Sequence, residues 1–252
     1  MHYFFVEGKS FATGEEVTLA EEDLNHAYRV LRLKAGDQVV VADGLGKAMV
    51  GCLTLATAQK MIVTLGGRLP AAESPLSITL CQSLLKGDKM DLVVRQAVEL
   101  GVGRIIPLIT KRSIPQREAH QNQKHATRWQ SKVRSAAAQC RRPFLPVVEA
   151  VHDLESMLPL ISASKALVSW EDENSCSLSH QLTQPCPPDK AVYLFVGPEG
   201  GFDPLEIEAL RGSGALTVHL GPRILRSETA AIAVVTMVQA AWGDLSGRGA
   251  ID

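Results

Sequence analysis

No two of the five cysteines, Cys52, Cys81, Cys140, Cys176 and Cys186, form a CxxC pair, and their number is odd. That pattern argues against a disulfide framework or a cysteine-built zinc site and leads to the expectation of reduced thiols in the cytoplasm, with no metal. Long apolar runs are also lacking. Residues 3–6 are too short for the apolar core of a signal peptide, and residues 230–242, the most apolar segment, are interrupted by Thr236 and Gln239 and fall short of a bilayer span. There is no internal repeat, no low-complexity tract and no GxxxxGK[ST] phosphate loop. Nor is charge of one sign in excess: 26 Lys and Arg stand against 27 Asp and Glu, which excludes a globally basic nucleic-acid coat. What is there is a chain of 252 residues with 46% hydrophobic content, enough to bury a substantial core in one large domain or two smaller ones.

Residues 1 to about 67 read as mostly β. Apolar or β-branched runs occupy 39–42, 48–55 and 61–65, and Gly44-Leu45-Gly46 makes the hairpin turn between the first two. Before them, Leu24, Tyr28 and Leu31 stand at helical spacing and predict a helix over 21–33. Residues 66–75 carry glycines and prolines without an apolar period and read as a linker. The boundary is placed there, giving domains 1–70 and 71–252. Beyond it strands alternate with helices, the pattern of a parallel sheet covered on both faces, with strands expected at 76–82, 104–108, 146–149, 165–170, 191–196 and 216–220. One decoy is set aside. Glu99-Leu100-Gly101-Val102-Gly103 imitates a dinucleotide-binding turn, but Met90, Val93, Val94, Ala97 and Leu100 before it share a helical face, where that turn requires a strand. Gly101 is therefore read as a helix-ending glycine.

The chemistry is concentrated in residues 194–229. The run 191–196 has the composition of a buried parallel strand, and it stops at Gly197-Pro198-Glu199-Gly200-Gly201. Three glycines in five positions imply positive φ or a close backbone approach. Asp203, Pro204 and Glu206 then form a capping box with proline at the first helical position, and that helix runs to about Gly212. A second strand, 216–220, breaks at Gly221-Pro222 and leads through Arg223-Ile224-Leu225-Arg226-Ser227-Glu228-Thr229 into a closing helix. Gly-Pro pairs also serve as plain tight turns. Two such loops, one carrying Glu199 and the other Arg226 and Glu228, point to a ligand site outside the carboxyl ends of the strands.

Charge is polarised behind the near-neutral total. Residues 104–142 hold ten Lys or Arg and one acid, Glu118, a net +9, while the remainder of the chain carries −10. Within this segment Ala126, Trp129, Val133, Ala137 and Cys140 follow helical spacing toward a core, and Lys124, Arg128 and Lys132 lie on another face. A polyanion would relieve the repulsion among them and release counterions. A solvated basic face is the alternative.

GPEGG after a strand and LGPRILRSETA before the last helix resemble the RsmE-type 16S ribosomal RNA uracil-N3 methyltransferases of the SPOUT class, and the similarity extends over nearly the whole chain. The resemblance implies an α/β fold: a SPOUT-type parallel sheet with a carboxy-terminal trefoil knot, plus a small amino-terminal PUA-like β-barrel domain. It implies S-adenosylmethionine as cofactor, held by Val196, Gly197, Pro198, Glu199, Gly200, Gly201, Leu220, Gly221, Ile224, Leu225, Arg226 and Thr229. The acceptor would be N3 of a uridine in 16S RNA, in the family U1498, within the small ribosomal subunit, and the protein would be a homodimer. Arg226 is the candidate to stabilise the uracil oxygens, with Glu199 and Glu228 as base or as anchors that hold Arg226. RNA contacts are expected from Arg29, Arg32, Lys111, Arg112, Arg117, Arg128, Lys132, Arg141 and Arg142. The chain departs from the family pattern at Tyr3, where an arginine is common, and at Ala138 and Arg141, where an acid and a glycine are common. A tRNA methyltransferase of the same class and a non-catalytic RNA-binding module are the alternatives.

Overall fold

Val39, Val41, Leu53, Met61, Val63 and Leu65, β-branched and apolar residues at period two along their strands, turn one face of a sheet into a common core. A computed structural model describes residues 1–6, 11–70, 73–113 and 122–245 of the protein, and the chain divides into two compact units, Met1–Glu73 with Arg134–Leu145, and Ser74–Val133 with Pro146–Asp252.

In the first unit, β1 (His2–Phe5), β2 (Glu16–Thr18), β3 (Gln38–Ala42), β4 (Ala48–Ala56) and β5 (Met61–Leu69) form a sheet in the order β1-β3-β4-β5-β2. β1 runs parallel to β3, and the other pairs are antiparallel. The β3–β4 turn is built as its residues demand: Gly44 and Gly46 have φ of 75° and 110°, and the Asp43 carboxylate accepts the N–H groups of Leu45 and Lys47 at 2.7 and 2.9 Å.

Two expectations are corrected in this unit. The helix read over 21–33 is only α1 (Glu21–Asn25), followed by a wider π turn over His26–Val30. The widening lets Ala27 and Leu33 join Leu24 in the core, while Tyr28, which the helical period placed inside, is 42% exposed. The linker read from residue 66 begins too early, because β5 continues to Leu69, paired with Ala48. Gly66 belongs to the sheet: a Cβ there would lie 3.0 Å from the Val50 carbonyl oxygen, beside a register shift in β4. The Tyr3 hydroxyl is buried with no hydrogen-bond partner among the described residues, and burial, reinforced by Glu73, pushes its pKa up.

The second unit is a parallel sheet. Its elements are β6 (Ser77–Ser83), α2 (Lys89–Glu99), β7 (Arg104–Ile109), β8 (Val147–Val148), β9 (His152–Asp153), α4 (Leu154–Ile161), β10 (Lys165–Ser169), α5 (Leu178–Gln181), β11 (Ala191–Val196), α6 (Pro204–Gly212), β12 (Leu216–Val218) and α7 (Ser227–Trp242); α3 (Asn122–Cys140) carries the chain from this unit into the segment Arg134–Leu145. The strand order is β12-β10-β11-β6-β7-β8, every described pairing is parallel, and β9 pairs with β7. Central strands such as β6 and β11 are buried along most of their length, which is why they read as unbroken apolar runs.

Helix ends behave as their sequences dictate. Gly101 closes α2 at φ 84°, so the imitation dinucleotide turn is a helix terminus. At α6 the Asp203 carboxylate accepts from the Leu205 N–H while the Asp203 N–H donates to Glu206, completing the capping box. α3 buries Trp129, Val133, Ala136 and Ala137, and it ends at Arg141 with φ 64°, a left-handed conformation that favours glycine. α7 buries Ala231, Val234, Val235 and Val238 against the sheet and α2, while Ile232 and Met237 remain half-buried. No described helix is long and apolar enough to cross a membrane. All five cysteines are free thiols.

Candidate functional site

The two glycine bends follow strands that flank β10, so both open at the carboxyl edge of the sheet. In the first, the glycines are required by proximity as well as by conformation. A Cβ on Gly197 would lie 3.1 Å from the Phe202 ring and one on Gly200 3.3 Å from Arg112 Cβ, while Gly201, at φ 69°, has the Glu171 carboxylate where its Cβ would stand. In the second bend, Gly221 has φ 115° and nothing within 4 Å of where a side chain would begin.

A short buried chain of hydrogen bonds joins the bends. Gln82 at the end of β6 donates from Nε2 to the Ser227 hydroxyl at 3.1 Å, and Ser227 in turn donates to the Gly197 carbonyl. The first residue past β11 and the first residue of α7 are thereby held together.

Between the bends lies a cavity of about 580 Å³. Of the residues assigned from sequence, Val196, Gly197, Pro198, Glu199, Gly201, Leu220, Gly221, Ile224, Leu225 and Arg226 line it. Gly200 and Thr229 do not; the Gly200 carbonyl instead accepts from the Arg112 guanidinium at 3.0 Å. A third wall was missed: Trp170, Glu171, Glu173 and Asn174, which leave the carboxyl end of β10. The rule that led to the glycine bends applies equally to this strand, but its loop carries no glycine to mark it.

Glu173 fixes that wall. Its buried carboxylate accepts from Ser175 N–H and hydroxyl at 2.9 and 2.6 Å on one oxygen, and from Arg211 and the Thr217 hydroxyl at 2.8 and 2.5 Å on the other. Hydrogen bonds from Ser175 and Thr217, against the effect of burial, hold its pKa down to about 2. Arg211 also lies 5.1 Å from the centre of the Trp170 ring, a cation–π contact that steadies the indole.

Lys89, at the start of α2, was missed too. Its ammonium lies 3.1 Å from Glu199 Oε1 and 3.6 Å from Glu228 Oε2. The hydrogen bond to Glu199 holds the Lys89 pKa up. For Glu199, partial burial works against ionisation, but its own N–H, the Lys89 ammonium and the Lys86 N–H outweigh this and hold the carboxyl below its ordinary pKa. The two glutamates were expected to anchor Arg226 or to act as base. They share Lys89 instead, and the exposed Arg226 side chain makes no hydrogen bond or ion pair with a described residue.

The cations assigned to RNA fall into two groups. Lys111 and Arg112 are engaged around the first bend: the Lys111 N–H donates to Glu206 at 2.8 Å and its ammonium meets Asp203 at 3.2 Å, which holds the Asp203 carboxyl below its ordinary pKa. Arg128 pairs with Asp91 at 2.7 Å, and Arg142 is buried against Glu73 at 2.8 Å. Lys132 is half-buried, whereas Arg29, Arg32 and Arg141 are exposed. Arg117 lies outside the described residues.

Residues 72–239 match a family described as an RNA methyltransferase domain, and residues 19–65 match one described as an RNA methyltransferase PUA domain. A relative named ribosomal RNA small subunit methyltransferase E, from Buchnera aphidicola, is 32% identical over 91% of this chain and 92% of its own length. Its namesake from Aquifex aeolicus is 31% identical over 94% and 99%. Among solved structures, ribosomal RNA small subunit methyltransferase E from Neisseria gonorrhoeae bound to S-adenosyl methionine matches with a TM-score of 0.87 and 32% identity, covering 97% of this chain and 99% of that one.

Proposed function

Because the chain belongs to the RNA methyltransferase family, we propose that it transfers a methyl group from S-adenosylmethionine to N3 of a uridine in small-subunit ribosomal RNA. Catalysis falls to residues 71–252 and RNA binding draws on residues 1–70. The observation that carries the reading is the cavity between the two glycine bends. Its volume is in the range of small-molecule sites. No side chain could stand at Gly197 or Gly201, so the backbone of the first bend itself forms part of the cavity wall, and backbone amides and carbonyls are the groups that read an adenine edge. The residues present therefore fit the cofactor, with Ile224 or Leu225 against the adenine face.

S-adenosylmethionine supplies a methyl on a positively charged sulfur, which keeps the bonding pair and leaves as a neutral thioether. Uracil N3 becomes nucleophilic only as its proton departs to water, so the site must stabilise negative charge on the uracil oxygens. Arg226 lines the cavity with its guanidinium uncommitted and supplies that stabilisation. Glu199, held ionised, is a poor base and serves to order the bend. On the RNA side, Arg29, Arg32 and Arg141 offer exposed charge to phosphate.

The reading includes a trefoil knot. Its support is that the chain leaves the outer strand β12 and returns through Ser227, bonded to Gly197, to pack α7 on β11 and β6. The reading also includes a homodimer, using the half-buried side of α7 at Ile232 and Met237. The test is Arg226→Ala. Methyl transfer to 16S RNA should fall by about 10²-fold or more, with S-adenosylmethionine binding retained in calorimetry and light scattering still reading twice the chain mass. Loss of cofactor binding, or unchanged turnover, would remove Arg226 from this role, and a monomer mass would remove the dimer.

A further inference from the structure

Lys89 enters the site from the first turn of α2, where the helix dipole opposes a positive charge and Asp88 provides no side-chain cap. Its position is instead compensated by Glu199 on the first bend and Glu228 at the head of α7, at 3.1 and 3.6 Å. Glu228 Oε2 is buried and makes no hydrogen bond among the described residues, so beyond the dipole of α7, in whose first turn it lies, the Lys89 ammonium is the charge that faces it. Other charges nearby are engaged or belong to the cavity itself. Asp88 and Asp91 are paired with Arg128, Glu173 with Arg211, and Lys86 contributes only its N–H. Glu171, Arg223 and Arg226 line the cavity.

We infer that Lys89 is a positioning residue for methyl transfer: by gathering Glu199 and Glu228 on one ammonium it keeps both carboxylates away from Arg226 and leaves that guanidinium free for the acceptor base. The inference rests on the reading of the cavity as a methyl-transfer site. Its physical content is competition. Glu228 is two residues from Arg226, and a carboxylate with one oxygen buried and unbonded favours recruiting another cation when its own is removed. With Lys89 removed, the cations left lining the cavity are Arg223 and Arg226, and Arg226 is the nearer to Glu228 along the chain.

The test compares Lys89→Met, Lys89→Arg and the double variant Lys89→Met with Glu228→Gln. Lys89→Met should lower kcat on 16S RNA by about tenfold to a hundredfold, with KM for S-adenosylmethionine changed by less than about threefold. Lys89→Arg should retain most activity. The double variant should recover most of the loss, because removing the carboxylate removes the competitor; a lysine needed only for folding gives no such recovery. Independently of activity, carbon-13 NMR of Glu-labelled protein should show the Glu199 carboxyl titrating at higher pH in Lys89→Met than in the parent. Unchanged kcat in Lys89→Met, a double variant no better than the single, or an unmoved Glu199 titration would each overturn the inference. If the parent protein itself fails to methylate 16S RNA, the methyl-transfer reading fails, and the NMR comparison still decides what Lys89 does to the carboxylates.

Discussion

Arg141 is held at φ 64°, one residue past the end of α3. A side chain in that conformation costs about 1 kcal/mol relative to glycine, and the exposed guanidinium is the charge gained in exchange, on a chain whose resemblance places a glycine there. Arg141→Gly should therefore raise unfolding stability in urea by about 1 kcal/mol and weaken RNA binding; a destabilised variant would show that the arginine makes contacts worth more than the strain. Single residues were legible in the sequence where their role is local. Gly101 and Asp203 act on their own helix termini, and both were read correctly. Lys89 and Glu173 were not legible, because their partners Glu199 and Thr217 lie 110 and 44 residues away. Arg142 shows the same limit from the other side: its pattern placed it among exposed cations, whereas Glu73, 69 residues earlier, holds it inside.

The loop between β10 and α5 shows what an element adds. Residues 171–189, which include this loop, are polar and contain prolines, a composition that by itself marks only a surface insertion. In the structure Glu173 binds the loop to β12 through Thr217 and to α6 through Arg211, and Ser177 bridges to His219. A carboxyl whose folded pKa of about 2 lies below its unfolded value contributes stability that is fully present above about pH 4.5 and lost as pH falls toward 2. Glu173→Gln should lower the melting temperature at pH 7 and flatten its decline between pH 4.5 and 2. An unchanged acid profile would show that the loop is held by other contacts. Apolar runs marked β3 to β5, β6 to β8 and β10 to β12 to within a few residues, gave no range for β1, β2 or β9, and failed at the π turn. An amphipathic repeat registers which residues are apolar, and the extra residue that turned Tyr28 outward leaves no mark in it.

At the scale of the molecule, the parallel sheet and the mostly β first unit were visible in the alternation of patterns, but strand order was not. Nothing in the sequence says that β12 lies outside β10, and it is this order that puts the β10 loop between the two glycine bends and closes the cavity. The charge count was likewise visible and its disposition was not, since Lys111, Arg112 and Arg128 are partly spent on acids of their own unit. The central claim is that the glycine bends hold a methyl donor against a uridine of small-subunit RNA. It is tested most directly by incubating the purified protein with S-adenosylmethionine and, in parallel, 16S RNA, small ribosomal subunits and tRNA, then mapping methylated nucleotides by mass spectrometry. The account expects one 3-methyluridine, confined to 16S RNA in either form; methylation of tRNA, of another base or ring position, or of none of the three would contradict it.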